Sequence, residues 1–277
     1  MSFAITFALL AAAALGGAPH VDVCPASGAP SLAALSEARP ARPVLLGLLA
    51  ADALSPAAGG TFTKGAEAVA QALALAEGQW RWSVVRSGLS ADGRHGFTAG
   101  YIDETAADGK TAGFKFLAYW VKDGETWRIK AFRKSPAPQG ERTSPAPCLR
   151  SRAAVPGPAE HQRTGLMAAE QKFSDDAQVL GIGPAFAKHG SASSINLGQG
   201  AGLTLGAVAI GAEIGSGNQP PLAWSSDDAL VAPGGDLGLS WGVIRVLGKE
   251  EEAKGRFAFF TVWHRAGPGE PWRYIAE

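Results

Sequence analysis

Two tandem α+β units are what this sequence predicts, on three observations: an internal repeat, helices followed by strands inside each copy, and a proline-rich break between the copies. The first copy runs Gly65, Trp82, Gly93, Gly96, Gly100, Gly113, Trp120, Trp127, Arg128. The second runs Gly206, Trp224, Gly235, Gly238, Gly242, Gly255, Trp263, Trp272, Arg273. Subtracting partners gives offsets that drift only from 141 to 145. Such a drift needs short insertions in loops, where insertions are tolerated. A chain of 277 residues also has the length of about two ordinary domains. Each copy, roughly 110 to 125 residues long, can bury a core of its own.

The chain opens on an apolar, alanine-rich run, Phe3 to Leu15, followed by Gly16, Gly17 and Ala18. This is too short for a mature membrane span and has the length of a signal-peptide core. Residues 1–18 are therefore expected to direct export, although Met1-Ser2 offers no basic start and Pro19 is awkward beside a cleavage point. A buried N-terminal helix is the alternative. Residues 19–43 read as a loose segment rich in Pro, Ala and Ser. The first unit is placed at 44–134, with an opening helix interrupted by Pro40 and Pro43 and a secure helical stretch only from Val44 to Ala53. Strand-like runs follow at Arg81 to Gly88, Phe97 to Glu104, Gly113 to Val121 and Thr126 to Phe132. Residues 135–160 are proline-rich and lack a hydrophobic period, which reads as an extended linker.

The second unit, 161–277, is the better preserved. Leu166, Ala169, Phe173, Ala177 and Leu180 recur every three or four residues, as on an amphipathic helix. Gly181-Ile182-Gly183 stops it, Pro184 suits the first turn of a short helix through Lys188, and Gly206 to Ile214 forms a third. Strands follow around Leu222 to Ser225, Leu237 to Leu247, Arg256 to Arg265 and Trp272 to Ile275. The alternation Leu237, Leu239, Trp241, Val243 fits a sheet with two distinct faces.

Composition excludes some functions. Twenty-five basic and 25 acidic residues leave no net charge, whereas a nucleic-acid binder needs an excess of Lys and Arg. No cysteine or histidine cluster has zinc spacing, and no phosphate-binding loop or nucleophile elbow of standard pattern occurs. No metal and no cofactor are expected, and after signal removal no membrane segment. Gly198-Gln199-Gly200-Ala201-Gly202 resembles a phosphate loop superficially but lacks a preceding parallel strand. Cys24 and Cys148 are the only cysteines. In an exported chain they are compatible with one disulfide joining the N-terminal segment to the linker, and two free thiols are the alternative.

Helices followed by a long antiparallel sheet resemble the cone-shaped α+β fold of nuclear transport factor 2, ketosteroid isomerase, scytalone dehydratase and SnoaL-like polyketide cyclases. Ala168-Ala169-Glu170-Gln171-Lys172-Phe173 and Gly183-Pro184-Ala185-Phe186 resemble the opening helices of small bacterial SnoaL-like domains. Leu222-Ala223-Trp224, Gly235-Asp236-Leu237-Gly238, Trp241-Gly242, Val262-Trp263 and Pro271-Trp272-Arg273-Tyr274 resemble their strand motifs. The resemblance covers about residues 166–277 directly and the first unit only through the repeat. It implies two tandem cones, each with N-terminal helices packed on a curled antiparallel sheet. It does not imply one activity, because this fold hosts dehydratases, isomerases, cyclases, carriers and inactive subunits.

Catalytic members of the fold work inside the cone with an Asp or His as base. The acidic position usual after the second helix reads His189-Gly190-Ser191-Ala192 in the second unit, whereas the first unit has Asp52 near that place. Asp236 sits at a strand entry, where a turn-making carboxylate is the plainer role; the first unit has Arg94 in the aligned place. His264 has strand parity opposite to Trp263 and is either a pocket histidine or a satisfied surface one. Asp236, His264 and Asp52 are thus the catalytic candidates. Trp224, Trp241, Phe259 and Tyr274 are the expected lining of a ligand cavity in the second cone, with ordinary core packing as the alternative. The leading functional expectation is an exported, non-enzymatic protein that binds a small apolar molecule or a protein partner. A lyase- or isomerase-type enzyme is the second, and a structural role, with the two units paired as in a homodimer, the third.

Overall fold

The computed structural model describes residues 37–277 except 75, 152, 218, 219, 250 and 251. The fold is α+β, two tandem cone-shaped units. The first contains β1 (Arg39–Pro40), α1 (Ala41–Leu48), β2 (Leu49–Ala57), β3 (Thr61–Lys64), α2 (Ala66–Leu73), β4 (Gln79–Leu89), β5 (His95–Thr105), β6 (Thr111–Asp123) and β7 (Thr126–Pro136). A linker strand, β8 (Leu149–Arg150), follows. The second unit contains α3 (Ala159–Leu180), α4 (Ile182–His189), β9 (Gly190–Asn196), β10 (Thr204–Leu205), α5 (Ala207–Gly215), β11 (Leu222–Val231), β12 (Leu237–Val246), β13 (Arg256–His264) and β14 (Arg273–Ala276).

The two sheets have the same order. The first runs β4-β5-β6-β7-β2-β3, with β1 and β8 added beside β4; the second runs β11-β12-β13-β14-β9-β10. Registers repeat as well. Trp82 faces Ile102 across β4 and β5, and Trp224 faces Ile244 across β11 and β12. Trp120 lies opposite Gly96, and Trp263 opposite Gly238. Trp127 lies in β7, and Trp272 directly precedes β14.

Each sheet curls at a matching bulge, between Val84 and Arg86 and between Ser226 and Asp228. A bulge bends its strand and tightens the local twist. Glycine is required opposite it: a Cβ on Gly100 would stand 2.0 Å from the Ser83 carbonyl oxygen, and one on Gly242 2.1 Å from that of Ser225. The repeated glycines thus encode the curl.

The first helix differs from expectation. The stretch Val44–Ala53 does not stay helical: α1 ends at Leu48 and the chain turns extended at Leu49. Parallel pairing with β7, at Leu49↔Ile129 and Leu54↔Ala131, claims the next residues for the sheet, so tertiary pairing overrides their helical pattern. Pro43 does not break α1 either. It occupies the third position after the N-cap residue Pro40, where the missing N–H has no intrahelical partner in any case. Pro184 takes the same place in α4, after the N-cap residue Gly181. Other strands extend beyond their sequence limits, β11 by six residues to Val231 and β7 by four to Pro136.

One face of each sheet packs on its own helices, the other on the opposite unit. The first unit's own core holds Trp80, Trp82, Phe116, Trp120 and Phe132 under α1 and α2. The second unit's holds Phe173, Phe186, Trp224, Trp263 and Tyr274. A third apolar cluster lies between the units and joins Phe97, Tyr101, Leu117 and Tyr119 to Leu237, Leu239, Phe260 and Val262.

The rim of that contact is polar and partly reciprocal. The Gly234 N–H donates to Asp92 Oδ2 (2.6 Å), and the Ala91 N–H donates to Asp236 Oδ2 (2.9 Å). Lys115 of β6, fully buried, donates to the carbonyls of Leu197, Gly198 and Gly202. The glycine-rich loop 198–202 therefore turns carbonyls, not N–H groups, toward its guest, and that guest is a cation. The linker is strapped down rather than free: Ala146 N–H donates to Val85 O, Ser151 N–H to Leu89 O and Val155 N–H to Gly234 O.

Replacing Gly100 or Gly242 by alanine should drive a methyl group into a backbone carbonyl and lower stability by about 2 to 4 kcal/mol. Urea unfolding midpoints for the two variants test this. A change under about 0.5 kcal/mol would remove the glycines from the account of the curl.

Candidate functional site

Among the described residues, the interior of the second cone and a cleft between the units each gather polar groups among apolar walls. The cone is organised by Glu170. On α3 this residue lies four positions after Leu166 and three before Phe173, so it falls on the buried stripe. The carboxylate is 1 % exposed. Its Oε1 accepts from Trp224 Nε1 (2.7 Å), and its Oε2 accepts from the Ser240 hydroxyl (2.6 Å) and from Trp263 Nε1 (3.1 Å). Burial pushes Glu170 up to about 6, against the pull of those three donors. Glu277 is pushed up to about 8, first by burial and then by the Glu170 carboxylate, with Arg133 acting in the opposite direction. Its Oε2 is buried and has no hydrogen-bond partner among the described residues.

Little open space remains there. Trp224 and Phe259 line a gap of about 40 Å3 together with Glu170, Phe173, Phe186 and Glu277, close to the share of one water molecule in the liquid. The other two expected lining residues are elsewhere. Tyr274 is fully buried in the core, and its hydroxyl donates to the Phe186 carbonyl (3.0 Å). Trp241 sits on the opposite face of β12, packed against the cluster between the units. The alternation Leu237, Leu239, Trp241, Val243 marks this inter-unit face. The cone face of β12 is the smaller set Gly238, Ser240, Gly242 and Ile244. Phe257, on the cone-facing parity of β13, is 49 % exposed.

The cleft between the units has a volume of about 370 Å3. Its walls come from Gly88, Leu89 and Phe97 of the first sheet, Leu149 to Ser151 of the linker, Ser191 to Ser193 of β9, and Leu237, His264 and Ile275 of the second sheet. Phe97, Leu237 and Ile275 are almost fully buried and form an apolar floor. Gly88 makes room for that floor, because a Cβ there would stand 2.2 Å from the Phe97 ring. Parity puts His264 on the cleft side of β13, where its Nε2 lies 3.3 Å from the Ser151 hydroxyl. Burial lowers the His264 value, with Asp236 acting the other way, so the ring is neutral near pH 7 and offers one donor and one acceptor.

The remaining sequence candidates occupy other positions. Asp236 is fully buried at the inter-unit turn, and its carboxylate bonds Ala91 of the other unit rather than its own turn; Oδ1 has no hydrogen-bond partner among the described residues. The self-bonded turn is instead that of Asp92, whose Oδ1 accepts from Ser90 and from the Arg94 N–H. Asp52 is exposed on β2 and paired with Lys130. The structure therefore does not bring Asp236, His264 and Asp52 into one cavity. Cys24 lies outside the described residues, and Cys148 is disulfide-bonded. His189 meets Asp176 at 2.6 Å and stacks on Phe173, but Asp176 is also held by Lys172 and Lys188. Among the described residues no group of three or more His, Cys, Asp or Glu is arranged to hold a metal ion, and no helix is long and apolar enough to cross a membrane. Glu170 was the buried polar position of the cone hardest to see in sequence. Its one signal is a charged residue inside the apolar stripe of α3.

These groups give stability a pH dependence of two signs. Burial holds His95, whose Nδ1 lies 2.8 Å from the Tyr119 hydroxyl, down to about 4. Below pH 6.5 the unfolded chain binds a proton that folded His95 resists, so stability falls from pH 6.5 to 4, by up to about 3 kcal/mol. His264 and His189, also lowered, add to that acid limb. Glu170 acts oppositely. Its folded value exceeds the unfolded one, so its stabilisation is complete below about 4.5 and is lost as pH rises through 6, by up to about 2 kcal/mol. Urea titrations between pH 4 and 7.5 should show a flatter acid limb in His95→Gln and a flatter rise-side loss in Glu170→Gln. Slopes equal to those of the parent in both variants would contradict the assignment.

No family model and no curated protein matches the chain. Similar solved structures include Aln2 from a Streptomyces species, at 22% identity and a TM-score of 0.26, covering 33% of this chain and 73% of that one. An NTF2-like protein of unknown function from Burkholderia pseudomallei is 22% identical, with a TM-score of 0.24 over 34% of this chain and 77% of its own. An uncharacterized protein with a cystatin-like fold from Caulobacter vibrioides is 12% identical, with a TM-score of 0.27 over 35% and 77%. Each match spans about a third of this chain, and none bears on activity.

Proposed function

We propose that this chain is a binding protein that holds a small, largely apolar molecule in the cleft between its two units. The observation that carries this reading is the cleft itself: about 370 Å3, with an apolar floor and a few hydrogen-bonding groups at its edge. Small-molecule sites have this size and composition and favour domain interfaces. The second cone offers a gap only about a tenth as large. The enzyme reading draws its support from the Glu170–Glu277 pair, two carboxylates with raised values beside one apolar gap. Against it, both Glu170 oxygens already accept hydrogen bonds from the protein, which suits a structural clamp better than a proton acceptor for a substrate.

The two units are, on the same proposal, diverged copies of a small SnoaL-like domain, a reading supported by their shared registers and bulges. Export is proposed with it on the apolar run Phe3 to Leu15, and an oxidising compartment suits the disulfide-bonded Cys148. Protein from the native host whose N-terminal sequence begins at Met1 or Ser2 would remove export.

The binding test uses N-phenyl-1-naphthylamine, a neutral apolar dye that brightens when it leaves water. The full chain should bind it. Ser193→Trp, which puts an indole into the cleft, should weaken binding at least about tenfold, equivalent to 1.4 kcal/mol. Ile182→Trp, at the cone gap, should leave it unchanged. Equal binding by the parent and Ser193→Trp would overturn the cleft reading, as would loss of binding in Ile182→Trp alone.

A further inference from the structure

We propose that a second groove between the units, separate from the cleft, binds a phosphate monoester through Arg133 and Arg256. The groove has a volume of about 540 Å3. It lies where the end of β7 and the turn Ala58–Gly60 of the first unit meet the start of β13. Arg133, Lys134, Lys254 and Arg256 are in its lining, and among the described residues no Asp or Glu is. Two of these cations are already neutralised. Lys134 pairs with the buried Glu104 at 3.0 Å, its ammonium 4.8 Å from the centre of the Trp80 ring on the side of the first unit's own core. Lys254 pairs with Glu252 at 3.0 Å. Arg133 and Arg256 remain, and among the described residues neither guanidinium takes part in a hydrogen bond or an ion pair.

Strand alternation turns both arginines toward the space between the units. Arg133 follows Phe132, which belongs to the first unit's own core, and lies opposite Leu117 of the inter-unit cluster. Arg256 lies four residues before Phe260 of that cluster, on the same parity. Close packing of the backbone pins its stem: a Cβ on Gly60, which has φ 73°, would stand 2.9 Å from Arg256 Cβ. Arg256 Nε is buried and has no hydrogen-bond partner among the described residues. A buried donor left unpaired is costly and calls for an acceptor. Burial also lowers Arg133 from the usual guanidinium range, against the pull of Glu277. Glu277, pushed up to about 8, is mostly protonated near pH 7 and cancels little of that charge. Two like charges sharing a groove repel, and a dianion relieves both the repulsion and the unpaired donors. A phosphate monoester is doubly charged above about pH 6 and offers three terminal oxygens to two planar N–H forks. The groove is larger than one phosphate group, and Pro56, Ala57 and Ala58 give the body of the ester an apolar wall.

Calorimetric titration of the full chain with phenyl phosphate, inorganic phosphate and benzoate, at about pH 7.5 where the ester is a dianion, tests the inference. Phenyl phosphate should bind at least about tenfold more tightly than either of the others. Arg133→Gln and Arg256→Gln should each weaken it at least about tenfold, and Arg256→Lys should recover part of the loss. Arg81→Gln, which removes an exposed charge from β4, should leave binding unchanged, as should Ser193→Trp in the cleft. Ala58→Glu adds a carboxylate at an exposed position of the groove wall and should abolish binding with both arginines in place. That variant decides the matter even if a glutamine variant fails to fold. Equal binding of benzoate and phenyl phosphate, binding that survives in Ala58→Glu, or loss of binding in Ser193→Trp overturns the phosphate site. Inorganic phosphate binding as tightly as phenyl phosphate overturns the ester and leaves a site for the free anion.

Discussion

Burial of the outer faces of two curled sheets against each other is the contact on which the rest of this molecule depends. Among the described residues, each unit has helices on one face of its sheet only. The other face is a continuous apolar surface, with Phe97, Tyr101, Leu117 and Tyr119 on one side and Leu237, Leu239, Phe260 and Val262 on the other. Left in water, either surface would be an aggregation liability. Packed together they form a third core as closely buried as the two beneath the helices. The rim bonds, Asp92 to Gly234 and Asp236 to Ala91, then fix the register of one sheet on the other, because directional bonds orient what the apolar faces only attract.

The pairing is not fully symmetric, and the asymmetry creates the cleft. Along one seam Lys115 enters the carbonyl cage of loop 197–202, and the linker closes over it: Thr143 Oγ1 donates to Leu203 O and accepts from the Leu203 N–H. An ammonium with three carbonyl partners uses all its donors, which suits a lysine that is fully buried. Elsewhere the same linker runs as β8 along the edge of β4 and becomes a wall rather than a plug. Space stays open between it, Ser191 to Ser193 and His264. The linker thus seals one part of the interface and shapes another.

Inside the cones, aromatic side chains fill the space that an open cone would offer a ligand. Trp120 Nε1 donates to Thr98 in the first unit, and Trp263 Nε1 donates to Ser240 in the second, at matching register positions. The second unit adds Glu170 to this pair and ties α3 to the sheet through Trp224 and Trp263. In the first unit Trp82, the counterpart of Trp224, keeps its Nε1 without a hydrogen-bond partner among the described residues. A carboxylate accepting from two buried indoles costs desolvation and returns directional bonds, so it specifies how the helix sits more than it adds stability.

The repeat and the order of strands along the chain were legible in sequence because they rest on local rules: glycines and tryptophans at fixed offsets, alternation along strands. The curl entered only through the family resemblance, and the structure showed that Gly100 and Gly242 permit it. The α3 helix was legible from its period, again a local rule. The position after α1 was not, because Leu49 to Ala57 became a strand through pairing with β7, some eighty residues away, as well as with β3. Nor could alternation reveal which face of β12 looks into a cone and which at the other unit. Period two separates faces without naming what covers them, so Trp241 and Tyr274 read as cavity lining and are not. The cleft was illegible for a stronger reason. His264, Ser193, Arg150 and Phe97 come from four distant segments, and only the docking of two sheets through a shared apolar surface, with a linker strand laid along one edge, puts them around a common space.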